Sequence, residues 1–476
     1  MSYDLRDFIA DIDGVAELAH IEGADWDKEI GGITELVAEK GGGLGGPALL
    51  FDDIEGYPAG FRILSNSFGS IERTRIALNM SSDLGPIDIV DAWRKEFSSY
   101  EALEPEHVSG DAPVLENIDT GDEIDVTKFP VPQWHEHDGG RYIGTGCTIV
   151  TKDPDTGWVN LGVYRSMILD EETISLWVAP GKDARVTMEK YHERGENCPV
   201  AFIAGLDPHT WIASMSTARR QESEYDIAGW IRGEPIPVTD GPETGLPIPA
   251  DAEIVIEGEI PPVDERSCVD GPFGEWPGYS TPAHDETPLI EVKSVLYRDD
   301  PILLGQPPLK PPAIYTVGIP IRTAGGVWNQ LDDAGISGVT GVWSHVIERP
   351  QFLVVSVDQD YAGHAKQVGI AAATMPNGIY GGRYVVVVDD DIDITSLEDV
   401  IWAMSTRCKA DDIEILDGLY TSPLDPILED RSDNRSSRAI IDATMPYKGE
   451  FPRVNRFSDE YREELVEKWN LDEFGI

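Results

Sequence analysis

The chain has 476 residues, 41% hydrophobic and 26% charged, a composition that can bury large cores and excludes a disordered or fibrous protein. Its 87 Asp and Glu against 37 Lys and Arg give a formal net charge of −50, spread along the whole chain, which excludes surfaces for nucleic acid or anionic membrane because both need basic patches. Only 13 of the cations are Lys, and self-repulsion of this size is tolerated where the Debye length falls to about 3 Å, in molar salt, so the expected setting is a halophile's cytosol, with an acidic mesophilic enzyme as the alternative.

The start, MSYDLRDFIADI, has neither a positive n-region nor an apolar h-region, and no later run approaches the ~20 apolar residues of a membrane span, so the expectation is a soluble, unprocessed protein. The four cysteines, Cys147, Cys198, Cys268 and Cys408, form no CxxC pair and no disulfide framework, which fits a reducing compartment.

Residues 1–120 read as a small α/β unit. Leu5, Phe8, Ile9 and Ile12 recur at helical spacing, ALLF ending at Phe51 predicts a strand, and PIDIVDAWRKEF from Pro86 predicts a second helix. An acidic, proline-bearing stretch from Glu104 to Pro132 leads into residues 121–310, where the pattern changes to short apolar strands. CTIVT from Cys147, ISLWVA from Ile174, PVAFIAG from Pro199 and AEIVIEG from Ala252, separated by turn residues, predict a barrel or sandwich.

PPLKPPAIYTVGIP, from Pro307, reads as a linker or rigid crossing into a third unit, residues 311–476. There QFLVVSVD from Gln351 and RYVVVVDDDID from Arg383 are continuous apolar strands, expected where both faces of a sheet are covered, and helices alternate with them. Thr395 and Glu398 predict a capping box ahead of a core stripe of Leu397, Val400, Ile401 and Met404. SDEYREELVEKW from Ser458 predicts a terminal helix with Tyr461, Leu465 and Trp469 on one side, suited to docking on a neighbouring domain or subunit.

Three segments carry chemistry. WVNLGVYRSM, from Trp158, sets Asn160 and Arg165 five apart; in a strand they face opposite sides, so they share a site only if the strand bends or ends between them, which Gly162 permits. Asn offers a neutral oxygen to a hard cation and Arg a planar fork to a carboxylate, while an ordinary strand pair is the bland alternative. Glu224, in SEYDIAGWIRG, reads in isolation as a surface acid near a helix start. DGPFGEWPGY places Asp270 and Glu275 at the ends of a turn-forming GPFG, where two close acids raise one pKa, as a proton donor requires; a solvated turn is the alternative. Asp389 opens DDDID, acids at the end of a buried strand that read as solvated, and Trp276 and Tyr279 serve equally as pocket wall or core.

In chain order, WVNLGVYR, GLDP at Gly205, SEYDIAG, DGPFGEWPGY, VVVVDDDID followed by VIWAMSTR, and IDATMPYKGEFPRV resemble the UbiD family of reversible decarboxylases that use prenylated FMN, a resemblance running from about Leu5 to Trp469. It implies an α/β (α+β) fold: an N-terminal α/β segment, a central split β-barrel holding the cofactor, and a C-terminal α/β domain used in oligomerisation, giving a homodimer or higher homo-oligomer. It implies that Asn160 and Glu224 ligate a divalent cation, Mn²⁺ or Mg²⁺, tied to the cofactor phosphate. Asp183 stands where the family's third ligand is a histidine; a carboxylate can serve the same ion, and N-cap of the following helix is its other reading. Ser214, Met215, Ser216 and Thr217 match a loop whose backbone lines the cofactor and holds a potassium ion, with Thr217 at the usual proline position, and Arg383 stands where the family commonly has a cofactor-side lysine.

Arg165, Asp270 and Glu275 match the family's catalytic Arg, Glu and Glu, Asp270 being one methylene shorter. The reaction implied is non-oxidative decarboxylation of an aromatic or α,β-unsaturated acid through a covalent prenylated-FMN adduct. Arg165 orients the substrate carboxylate and Glu275 delivers the proton. CO₂ is the co-product, a flavin prenyltransferase supplies the cofactor, and direction and substrate stay open. The substitutions at Asp183, Asp270 and Arg383 leave two alternatives, a flavin oxidoreductase on a split barrel and an acidic carrier or assembly protein without catalysis.

Overall fold

The computed structural model describes residues 3–41, 45–110, 112–216, 222–311, 318–345, 351–376, 382–428, 430 and 432–470. At the N-terminus Leu5, Phe8 and Ile12 are fully buried on one face of the helix Leu5–Gly14, whose first turn is closed by a capping box between Asp4 and Asp7. Strands Leu18–Glu22, Ala48–Asp52 and Arg62–Ser65 form a sheet with a fourth member from far along the chain, Ile302–Gly305, which runs parallel to Arg62–Ser65. The N-terminal unit is therefore completed by the chain as it leaves the central one.

The centre is an eight-stranded antiparallel sheet in the order Val159–Gly162, Cys147–Lys152, Cys198–Ala204, Ile254–Ile260, Leu289–Tyr297, Thr173–Ser175, Ile168–Asp170, with Asn117–Thr120 also paired to Leu289–Tyr297. One face of the Cys198–Ala204 strand packs Val200, Phe202 and Ala204 into one core, while Ala201 and Ile203 join the larger core shared with the two flanking units. Alternation at period two thus lets one strand serve two cores. Of the run ISLWVA only Ile174 and Ser175 are in a strand, Thr173–Ser175; beyond it the Leu176 amide donates to the Pro288 carbonyl at 2.9 Å and the Trp177 amide to the Arg165 carbonyl.

The third unit is a five-stranded sheet, Val339–His345, Phe352–Val357, Tyr384–Asp389, Arg435–Ala443 and Glu414–Tyr420, parallel at its centre and antiparallel at both edges. Helices Gly318–Asp333, His364–Thr374 and Leu397–Arg407 cover it, and the last three residues of the run expected to be linker open the first of them. The expected cap moves by one residue: Ser396, not Thr395, accepts the Asp399 amide at 3.2 Å, while the Thr395 hydroxyl donates to Asp393 at 2.7 Å. Val400 is in the core as expected, but Ile401 is half exposed. The terminal helix Asp459–Trp469 begins at Ser458 and leaves Tyr461 and Trp469 exposed.

Candidate active site

Arg165 lies just past the end of the strand Val159–Gly162, and its carbonyl accepts the Trp177 amide at 3.1 Å, which fixes the backbone from which the side chain projects. Its guanidinium is buried between both acids of DGPFGEWPGY. Nε donates to Asp270 Oδ2 at 2.7 Å, and Nη1 donates to Glu275 Oε1 at 2.8 Å and to Thr281 Oγ1 at 3.4 Å. The rings of Trp177 and Phe273 lie 5.5 and 5.7 Å from Arg165 Cζ.

The two acids do not sit at the ends of one tight turn. Asp270 ends the strand Cys268–Asp270, paired with His284–Thr287, and Glu275 ends Phe273–Glu275, the first arm of a hairpin with Tyr279–Thr281. Between them Gly271 adopts φ +101°, and a Cβ there would lie 3.0 Å from Ala283 Cα, so only glycine fits without strain. Asp270 is 0% exposed and its other oxygen accepts the Ser175 hydroxyl at 2.8 Å, whereas the Glu275 side chain keeps 18% of its surface open. Burial pushes the Glu275 carboxyl above its ordinary range, Arg165 pulls it down, and the Asp270 charge adds to the rise.

A second cluster forms around the other predicted residues. Asn160 is buried in the strand Val159–Gly162, and its Nδ2 has no hydrogen-bond partner. Glu224, expected on the surface, is buried as the first residue of the helix Glu224–Arg232, where Ser223 is the N-cap, and it accepts the Leu161 amide at 2.7 Å. Its carboxyl is pushed up to about 8, chiefly by burial and in part by the nearby charge of Asp183. Asp183 is not an N-cap: that position is Lys182, and Asp183 is the exposed first residue of the helix Asp183–Glu193.

The remaining sites are placed elsewhere. Ser214 closes the helix Pro208–Ser214, where its hydroxyl donates to the Thr210 carbonyl at 2.7 Å and accepts from Thr148 at 3.0 Å. The Ser216 hydroxyl donates to the Ile212 carbonyl at 3.2 Å, and the Met215 carbonyl accepts Arg322 Nη2 at 2.6 Å. Thr217 lies outside the described residues. Arg383, just before the strand Tyr384–Asp389, is paired with the buried carboxylate of Asp425. Ser175 and Thr281 carry no motif of their own, and their short strands, Thr173–Ser175 and Tyr279–Thr281, hold other hydroxyls that do not reach the site, so no sequence signal singled them out.

The whole chain can now be set beside known proteins. Family models match in chain order: the N-terminal domain of 3-octaprenyl-4-hydroxybenzoate carboxy-lyase over residues 11–93, its Rift-related domain over 106–311 and its C-terminal domain over 317–443. The chain belongs to the UbiD family of carboxy-lyases. Among UbiD-family relatives it is 30% identical to the pyrrole-2-carboxylic acid decarboxylase of Pseudomonas aeruginosa, covering 99% of this chain and 98% of that one. It is 31% identical to the phenolic acid decarboxylase of Bacillus subtilis over 94% and 93% of the two chains. Its fold matches the UbiD-class enzyme HmfF of Pelotomaculum thermopropionicum in complex with FMN, with TM-score 0.84 and 27% identity over 97% and 98% of the chains. The vanillic acid decarboxylase of Sedimentibacter hydroxybenzoicus in its open form gives TM-score 0.85 and 25% identity over 98% and 99%.

Proposed function

We propose that this UbiD-family chain catalyses reversible, non-oxidative decarboxylation of an aromatic or α,β-unsaturated acid, R–COO⁻ + H⁺ → R–H + CO₂, with prenylated FMN as cofactor. The observation that carries this reading is one guanidinium shared by a fully buried carboxylate and by a partly open one whose pKa burial raises. Glu275 is the partner that holds its proton to higher pH than a free glutamic acid and has the open side from which to reach a substrate carbon. Arg165 orients the substrate carboxylate, and Asp270 fixes Arg165. Trp177 and Phe273 form an apolar wall around the guanidinium that limits competing water.

Prenylated FMN, when bound, supplies the electron sink that loss of CO₂ requires. The residues around Asn160 fit its phosphate and a divalent cation. The unpartnered Asn160 Nδ2 suits a phosphate oxygen, and the buried Glu224, whose carboxyl is pushed up by burial and by the charge of Asp183, is a group that a bound cation would hold ionised. Among the described residues no group of three or more His, Cys, Asp or Glu side chains is arranged for a metal, so Mn²⁺ or Mg²⁺ would need the Asn160 oxygen and the phosphate as well as the two acids. A potassium ion gains no support in the Ser214–Ser216 loop, where both hydroxyls are spent on the helix and the Met215 carbonyl holds Arg322. The relatives support the coarse chemistry: their names record decarboxylation of pyrrole and phenolic acids, and HmfF has been seen with FMN and with prFMN.

The test is to co-express the chain with a flavin prenyltransferase, purify it in molar salt, record the cofactor's spectrum and mass, and screen pyrrole, phenolic and acrylic acids for CO₂. A bound modified flavin and CO₂ release without net redox change are expected. Absence of the modified flavin, or a loaded protein inert towards all three classes, overturns the reading.

A further inference from the structure

Asp270 is held from two sides, and only one of them is Arg165. The Ser175 hydroxyl donates to Asp270 Oδ1 at 2.8 Å, and Ser175 Oγ itself accepts the Met167 amide at 2.8 Å. Since the Ser175 oxygen receives Met167 N–H, its own proton is directed at the carboxylate. The Ser175 amide in turn donates to the Met167 carbonyl at 2.8 Å, and the residue is fully buried, so neither its backbone nor its hydroxyl has room to turn. The other carboxylate oxygen is thereby left facing the Arg165 fork, where Nε donates to it at 2.7 Å and Nη2, also 2.7 Å away, makes no hydrogen bond.

We propose that Ser175 is a positioning residue of the active site, setting the angle of the Asp270 carboxylate and, through it, how Arg165 is shared between Asp270 and Glu275. A buried carboxylate that loses a donor seeks another, because an unsatisfied charged acceptor away from water is costly. Arg165 is the donor within reach. Without Ser175, Asp270 Oδ1 turns to Nη2, which lies beside Oδ2 with no hydrogen bond of its own, and the guanidinium swings into that two-point pair, carrying Nη1 away from Glu275, which loses the ion pair that opposes its burial. Ser175 thus acts on the proton donor without touching it.

The titratable and charged groups facing the pair are Arg165, Tyr142 and Cys268, with His284 opposite Asp270 on the neighbouring strand. All are kept in the test, which compares Ser175→Ala, Ser175→Cys as a second variant of nearly unchanged size, and Ser175→Thr, which restores the hydroxyl. In cofactor-free protein, the infrared band of the protonated carboxyl that Glu275→Gln removes is followed against pH. Its midpoint is expected to move up by about half a unit or more in the Ala and Cys variants and to return in the Thr variant, the scale of one charge-assisted hydrogen bond. In loaded enzyme, kcat is expected to fall about tenfold with KM little changed, and the basic limb of its pH profile to move with the band. A midpoint that stays put or moves down, or a fall in kcat with no shift in either readout, overturns the proposal. The kinetic arm rests on the decarboxylase reading, but the infrared arm needs no turnover, so an inert protein whose band shifts as stated sinks that reading alone.

Discussion

Arg165 has two carboxylate partners, and they differ in their other hydrogen bonds and in their access to a substrate. Asp270 is satisfied by Arg165 and Ser175 with no surface open, while Glu275 is held by Arg165 and keeps 18% of its side chain exposed. Burial disfavours the charged form of Glu275, so the acid stays protonated to higher pH than a free glutamic acid. A proton donor works while it is protonated, and kcat should therefore be full below the raised pKa and fall as pH rises through it. A kcat profile that instead rises across that window would remove Glu275 from the donor role. Glu275→Gln keeps the shape and deletes the proton, and should lower kcat by about 10²- to 10⁴-fold while the flavin absorbance stays unchanged. The sequence shows both acids and their proximity, and from it repulsion between them is the expected cause of the shift. In the folded chain burial is the larger cause, and the Arg165 that closes on Glu275 at 2.8 Å, with Trp177 beside it, arrives from another segment, which spacing within DGPFGEWPGY does not contain.

At the scale of elements, the site depends on a corner between two short strands. Gly271 separates Cys268–Asp270 from Phe273–Glu275 with φ +101°, a conformation that costs a side chain about 1–3 kcal/mol, and an added Cβ would press on Ala283. Gly271→Ala should lower the unfolding midpoint by a few degrees and lower kcat more than the stability loss explains, because Asp270 is the residue next to it. Equal kcat in the two proteins would show that the corner does not hold the acids. Helices and strands with a regular apolar period were legible: Leu5–Gly14, Pro86–Ser98, Cys147–Lys152 and Tyr384–Asp389 all fall on the predicted runs. What was not legible depends on distant partners. Thr395 and Ser396 are equally good caps in sequence, and the Asp393 carboxylate decides between them by taking the Thr395 hydroxyl. Glu224 reads as a surface acid until the strand Val159–Gly162 covers it and supplies the Leu161 amide.

Across the whole molecule the units are joined by pieces that no local pattern announces. Ile302–Gly305 leaves the central sheet region to become an edge of the N-terminal sheet, and the fully buried Glu253 gathers Arg6 from the N-terminal helix and Arg298 from the chain just before that strand, at 2.8 and 3.1 Å. Such pairs are the exception in a chain where acids outnumber cations by more than two to one. Most of the remaining charge is of one sign and faces solvent, so its repulsion opposes folding in proportion to the range of the field. That range falls from about 10 Å at 0.1 M salt to about 3 Å at 1 M, while buried pairs such as Glu253 with Arg6 and Arg298 are screened far less. Adding KCl should therefore remove repulsion faster than attraction, and the unfolding midpoint should climb steeply up to about 1 M and then level off. The measurement is thermal unfolding across a KCl series with a parallel series in sucrose, which strengthens burial without screening charge. A midpoint indifferent to KCl, or one raised equally by sucrose, would show that the −50 charge is not what limits the stability of this fold.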